Sequence, residues 1–392
     1  MSTRISAPPL QTVMMGLIVA MVGFFSSFPI LLQGLVHVGA STEQAASGLM
    51  MAALCMGVAG VVLSLATRLP VSVAWSTPGA ALLAVTAPVE AGFAGAVAGF
   101  LFAGLLTVVA GLWRPLARLA EAIPAPLAQA MLGGVLLPLC LTPVLAVAES
   151  PAVIAPILLA WFVLGRVHKL LAVPAAVAAA ALTILLTADT GELGASRLIT
   201  APVLVVPEVS FAALAGIGLP LFIVTMATQN IPGIAVIRSF GYAPKPGPLF
   251  ASVGGFSALT APFGAPATCL AAITAAMCAN PDSHPDPAQR FWSAVFAGVF
   301  YCLLGLFAGA ITGFAGLAPP MVLASVAGVA LLGVFTGSTT AALGDARYRE
   351  AAALTFVVTA SGVTIFGLGA AIWGLMVGGL VQILREAGAG NG

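Results

Sequence analysis

From residue 11 to residue 36 the chain carries no charged side chain, and apolar segments of similar length follow one another as far as residue 385. About 20 apolar residues in a helix cross the hydrocarbon core of a bilayer, so this one feature admits few folds. Of the 392 residues 61% are hydrophobic and 6% charged, against roughly a quarter charged in soluble domains, and such a chain cannot cover an aqueous surface. It reads as an integral membrane protein without a soluble domain of useful size. A net charge of +1 points to neither nucleic acid nor an anionic lipid surface as partner. The first apolar segment lacks a small-residue cleavage site and reads as a retained span. Cys55, Cys140, Cys269, Cys278 and Cys302 all fall within apolar segments, where small buried hydrophobes are expected rather than disulfides or a metal cluster.

Charged and Gly/Pro-rich punctuation divides the chain into fourteen segments: 11–36, 43–66, a short 70–87, 92–112, 124–147, 151–167, 171–188, then 210–237, 247–257, a short 258–279, 288–313, 318–343, 347–362 and 364–385. A polar stretch, Asp189 to Glu208, separates the two sets of seven. With the N-terminus in the cytoplasm, this path puts Arg4, Arg68, Arg114, Arg118, Arg166, Lys169, Arg238, Lys245, Arg290, Arg347, Arg349 and Arg385 on one side and Arg197 alone on the other. That is the asymmetry of the positive-inside rule, and both termini then lie in the cytoplasm.

The two sets resemble each other. Pro126 and Pro320, like Gly134 and Gly328, are 194 positions apart. Phe28-Pro29 answers Ile231-Pro232, and Pro78 of the first short segment is matched with Pro266 of the second. Because seven is odd, the second copy inserts upside down, which makes an inverted repeat. The fold class is therefore an all-α membrane protein of 7+7 inverted segments, with a short strand and a half-helix in segments 3 and 10.

Ser76-Thr77-Pro78-Gly79 is a helix-start signal inside a run too apolar for a surface loop. Non-helical backbone at that depth is tolerated only where it is buried in protein or lines a cavity. Val71, Val73 and Trp75 in one copy, and Phe256, Leu259 and Phe263 in the other, suit extended entries, with Pro78 and Pro266 opening the half-helices. Two facing helix N-termini offer about one unit of positive charge and several free N–H donors, enough for one anion without Lys or Arg. Paired broken helices at corresponding repeat positions are the best pointer in a sequence to a transport site, although two structural kinks would look the same. Gln229 and Asn230 form the most polar central pair, and either a ligand or a neighbouring helix could satisfy their amides. Thr225 and Thr228 are expected to bond to backbone. Phe25, Trp75 and Phe263, with Phe24 and Phe28, could form an apolar slot for a ring. His37, His168 and His284 lie at segment ends or in loops, no acidic residue falls at a segment centre, and no catalytic or metal motif is found.

The stretches PVSVAWSTPGAALLA, VTMATQNIPGIAVI, TAPFGAPATCLAAI and LTFVVTASGVTIFGLGAAIWGLMVGGL resemble the benzoate transporter family BenE in order and spacing, over essentially the whole chain. The resemblance implies proton-coupled uptake of benzoate across the bacterial inner membrane, without a cofactor, and allows a homodimer. It also implies the fold of nucleobase transporters and sulfate permeases. There a core domain (1–122 and 205–316, segments 1–4 and 8–11) rocks against a gate domain (123–190 and 317–392, segments 5–7 and 12–14). In similar nucleobase transporters an acidic residue of the eighth segment binds substrate; Gln229 stands there here, and an amide suits an anionic ligand that would repel a second carboxylate. That departure removes the protonatable group found in those nucleobase transporters and leaves the proton route open. Trp75 matches the aromatic before the third-segment proline, and Gly264 and Ala265 match the backbone opening the tenth. The expected substrate site is Trp75, Ser76, Thr77, Gly79, Gln229, Asn230, Gly264, Ala265 and Thr268, with Phe25 and Phe263 against the ring. Its rivals are a carrier for another small organic anion and an anion channel.

Overall fold

The computed structural model describes residues 9–87, 89–168, 171–187, 200–366 and 368–389. Arg4, Lys169 and Arg197, Pro88, and residues 189–199 of the polar stretch lie outside them. Among the described residues eight helices are long and apolar enough to cross a membrane, so the chain is a multi-pass membrane protein. Other segments are shorter or broken, and helix length alone does not number the crossings.

Proline sets most of the breaks. The first segment is not one helix but two, α1 (Leu10–Phe25) and α2 (Phe28–His37), parted at Ser26-Ser27. Pro29 in the first turn of α2 has no N–H to continue α1. The eighth segment contains two π turns, Ala212–Gly218 and Met226–Asn230, ahead of α10 (Leu219–Thr225) and α11 (Ile231–Ser239). Each precedes a proline, Pro220 or Pro232, and the N–H of Leu219 or Ile231 reaches back five residues to the carbonyl of Leu214 or Met226. The eleventh divides into α14 (Phe291–Leu306) and α15 (Ala308–Gly316).

Segments 3 and 10 contain the two strands. After α3 (Thr42–Thr67), β1 (Val73–Trp75) leads into the half-helix α4 (Thr77–Val85), as the sequence predicts. The tenth departs from expectation. α12 (Pro246–Thr260) runs on through Phe256 and Leu259, Phe263 ends a 3₁₀ turn, β2 is Thr268–Leu270, and the half-helix α13 is Ala272–Ala279. Pro266 therefore precedes the strand and does not open the helix. β1 and β2 pair antiparallel, with Val73 opposite Leu270, Ala74 opposite Cys269 and Trp75 opposite Thr268. α4 and α13 consequently leave the ladder toward opposite ends of the molecule.

The repeat is visible in the element limits. α7 (Ala125–Glu149) and α16 (Pro320–Gly344) both have 25 residues and start 195 positions apart, as do α4 and α13. The counterpart of Pro78 is thus Ile273.

The helices pack as two groups. In one, α1 and α3 lie on α14, and α5 (Gly92–Leu112) lies on α12; in the other, α7 packs on α16 and on α17 (Arg349–Ala360), α17 on α18 (Ala370–Ala389), and α8 (Pro151–Val167) on α9 (Ala172–Thr187). The short amphipathic helix α6 (Arg114–Glu121) links the groups. Residues 200–208 run extended across the first, where the N–H of Val205 donates to the carbonyl of Pro262 (2.8 Å) and that of Val203 to Ser47 Oγ (2.8 Å). All five cysteines are free, four of them buried, and among the described residues no group of three His, Cys, Asp or Glu is placed to hold a metal.

Candidate functional site

The strand ladder brings both halves of the predicted site together. The N–H of Ser76 donates to the carbonyl of Ala267 (2.9 Å) and the N–H of Ala271 to that of Ser72 (3.0 Å), so the two half-helices start on opposite sides of one two-stranded ladder. Ser72 Oγ donates to Thr274 Oγ1 (2.8 Å) across the same junction.

The two helix starts are finished differently. Ser76 caps α4: its Oγ accepts from the N–H of Gly79 (3.0 Å) and from Thr225 Oγ1 (2.9 Å). A Cβ on Gly79 would lie 2.5 Å from Leu221 Cδ1 and 2.9 Å from Ser76 Oγ, so a larger residue would have to displace Leu221 and crowd the cap. Thr77, first in the helix, is half-buried. At the start of α13 stands Ala271, which has no side chain to cap with, and the N–H groups of Ala272, Ile273 and Thr274 form an uncapped helix end. Ala272 is half-buried and Ile273 is 68% exposed, so this end is reachable.

Around this junction most of the predicted residues form a buried supporting layer. The Trp75 indole N–H donates to Ser27 Oγ (2.9 Å) and its ring meets Phe24 edge-on at 5.3 Å. Asn230 is fully buried: its Oδ1 accepts from the N–H of Leu270 (2.9 Å), and its Nδ2 faces Met226 Sδ at 3.3 Å. That amide fastens the π turn onto β2 beside the start of α13. Thr268 is buried, with its N–H on Ser257 Oγ (3.3 Å) and its hydroxyl 3.5 Å from Cys55 Sγ. Gly264 and Ala265 stand apart from the half-helix start. Gly264 has φ +86°, a conformation that favours glycine, and lies against Phe93 and the carbonyl of Gln44. Its own carbonyl would be only 2.6 Å from a Cβ on Gly48, a close approach to α3. The carbonyl of Phe263 accepts from Ser47 Oγ (2.9 Å). Thr228 bonds to the carbonyl of Val224 (2.6 Å) as expected, whereas Thr225 reaches Ser76 instead.

Gln229 differs from this layer. It is half-buried, sits in the π turn next to Asn230, and its side chain makes no hydrogen bond to the described residues. Phe25 contacts Phe24 (5.4 Å) and Phe28 (6.1 Å) ring to ring. With Phe28 and Pro29 it lines a separate apolar cavity of about 280 Å³, closed on the other side by α9, α15 and α16. That cavity offers a carboxylate no hydrogen-bonding partner.

Ser27, Ala272, Ile273 and Thr274 are positions the sequence reading did not select. The 194-residue spacing of Pro126/Pro320 and Gly134/Gly328, applied to Thr77, would have reached Ala271 and so the second helix start.

Comparisons with known proteins follow the same lines. The family model described as benzoate membrane transport protein, BenE, matches residues 6–384. The inner membrane protein YdcO of Escherichia coli is 38% identical over 384 residues, 97% of each chain. The benzoate membrane transport protein of Acinetobacter baylyi is 28% identical over 375 residues, covering 96% of this chain and 95% of its own. Among solved structures, the transmembrane domain of the cyanobacterial bicarbonate transporter BicA superposes with a TM-score of 0.60 at 14% identity, over 95% of this chain and 97% of that one. The murine Solute Carrier 26 family member A9 anion transporter gives 0.60 at 13%, over 98% of this chain and 69% of that one. At such identity the likeness is one of fold, and it bears out a mostly helical membrane fold with one small strand pair, without fixing the number of segments.

Proposed function

The chain belongs to the benzoate membrane transport family, and from that premise we propose that it takes up benzoate together with a proton across the inner membrane by alternating access. One observation carries this reading: an uncapped helix start whose first turn includes the 68% exposed Ile273, on a ladder fastened by Asn230, the chain neighbour of Gln229. Three converging N–H donors and the positive end of a helix dipole favour a carboxylate over a neutral group. Gln229 donates from Nε2 to the same carboxylate, and the ring lies on Ile273. Trp75, Ser76, Gly79, Asn230 and Thr268 hold the frame, and Thr77 faces the site from the capped side. The family is one of transport proteins, not enzymes.

Alternating access is supported by a mismatch between symmetry-related contacts. α4 packs on α7, whereas its counterpart α13 has no comparable packing on α16 among the described residues. Toward the end of α4 lies a gap of about 50 Å³ lined by Leu82, Gly134, Pro138, Pro220 and Thr359. At the other end, a Cβ on Gly333 or Gly337 of α16 would meet nothing within 4 Å. Rocking one group against the other exchanges the two arrangements, closing α16 over α13 and opening α4.

Benzoate is ionised at neutral pH, and moving one negative charge inward against the membrane potential costs about 2.3 kcal/mol per 100 mV. A co-transported proton offsets that cost. No carboxylate among the described residues is buried, so the coupling is assigned on charge balance and family membership.

Proteoliposome uptake of labelled benzoate, with and without an imposed pH gradient, tests the reading. Saturable uptake that rises when the outside is acidified is expected. Flux that ignores the gradient and does not saturate would identify a channel.

A further inference from the structure

Arg290 is 7% exposed and is the one buried charged side chain among the described residues. It forms no ion pair: both ion pairs among those residues, Arg347–Glu386 and Arg385–Glu350, lie elsewhere. Its hydrogen bonds to the backbone all go to carbonyls, and the Tyr242 hydroxyl lies beside it. Nη1 donates to Ala279, the last residue of α13 (2.9 Å), Nε to His284 (2.8 Å) and Nη2 to Pro285 (3.4 Å). The adjoining carbonyl of Cys278 accepts from Ser283 Oγ (2.6 Å) and Ser293 Oγ (3.1 Å). The last two carbonyls of α13, Cys278 and Ala279, are therefore bonded by side chains, while its N-terminal end has no side-chain cap. α4 differs at both ends: Ser76 caps its start, and at its finish the neutral Thr86 hydroxyl donates to the carbonyl of Leu82 (2.6 Å) where α13 has a guanidinium.

A guanidinium taken out of water without a carboxylate is costly unless other groups compensate it. Here the compensation is the negative end of the α13 dipole. We propose that Arg290 is a positioning residue that polarises α13, cancelling the negative end of the helix so that its positive end acts undiminished on the anion. This rests on the carboxylate site described above. α13 has eight residues, about 12 Å at 1.5 Å each, so the charge stands roughly 15 Å from the bound carboxylate. At an effective dielectric of about 20, that attraction corresponds to at most about sixfold in affinity. Asp282 and Asp286 are exposed on the same loop and act with the opposite sign.

The alternative is that Arg290 merely staples the loop 280–290, and transport kinetics separate the two. In proteoliposomes of the full chain, Arg290→Gln is expected to raise the KM for benzoate three- to sixfold with Vmax per folded protein within twofold. Arg290→Lys, which keeps the charge and loses the fork, should return KM to within twofold of wild type. Asp286→Asn should lower KM, by up to about twofold. A fall in Vmax at unchanged KM, or a Lys variant as weak as the Gln variant, overturns the proposal and leaves the transport function standing. Should Arg290→Gln fail to insert, Asp286→Asn decides, since an unchanged or raised KM there is equally fatal. A wild type without saturable benzoate uptake overturns both readings together.

Discussion

The half-helices α4 and α13 begin 195 positions apart in the same fold and both start at one strand ladder, yet the start of α4 is capped and that of α13 is not. α4 is self-sufficient: Ser76 satisfies its Gly79 N–H, Thr225 bonds to Ser76, and Leu221 packs closely on Gly79. α13 is left incomplete at its start and over-supplied at its finish by Ser283, Ser293 and Arg290. A repeat fold places two dipoles face to face by symmetry. The difference between Ser76 and Ala271 then decides which one remains available to a solute.

That contrast can be broken experimentally, and the largest effect is expected at the amide beside the open end. Gln229→Ala removes a hydrogen bond to a charged group, about 2 kcal/mol, so benzoate affinity should fall about thirtyfold while melting temperature is retained. Unchanged uptake at normal expression would remove Gln229 from the site. Giving α13 the cap that α4 has comes next. In Ala271→Ser the new hydroxyl competes with substrate for the Thr274 N–H, and benzoate affinity should drop about fivefold, the equivalent of about 1 kcal/mol; binding measured on purified protein that stays at the wild-type value would show that α13 is not the anion end.

The reciprocal change is a sharper control. Ser76→Ala uncaps α4, and denaturation should show about 1 kcal/mol less stability with benzoate affinity within twofold of wild type. A larger loss of affinity than of stability would make α4 the binding helix instead. The smallest effect is expected on α16, where Gly333→Ala and Gly337→Ala enter open space and should change stability by no more than about 0.5 kcal/mol. If α13 docks there in the alternate state, Vmax falls in these variants although KM does not. Equal Vmax in both would argue against closure on that face.

Much of this was legible beforehand. Apolar runs with almost no charge leave the chain no aqueous fold, because backbone groups in lipid must be satisfied within helices. Ser76-Thr77-Pro78-Gly79 announces the start of α4 because a hydroxyl cap and a first-turn proline act locally. The second helix start was misplaced to Pro266 because Ala271-Ala272 carries no such local signal, and a proline is the strongest punctuation nearby. Gln229 stood out as polar in an apolar run, but its separation in role from Asn230 did not, since both are amides in adjacent positions. Likewise Phe25 was grouped with Trp75, yet Phe24 is the ring that touches it.

By itself, then, the sequence determined the solvent, the repeat and one helix cap, each of which depends on composition or on neighbours a few residues away. Tertiary structure alone decided where α13 begins. The Ala271 N–H bonds to the carbonyl of Ser72, the Leu270 N–H to the amide of Asn230, and β2 pairs with a strand 195 positions earlier. Those partners are distant along the chain, and so is Arg290 from the helix start it acts on. Backbone donors that find their acceptors only across the folded ladder leave no trace in local sequence, and the contrast between a capped α4 and an uncapped α13 is visible only once both starts are seen on that ladder.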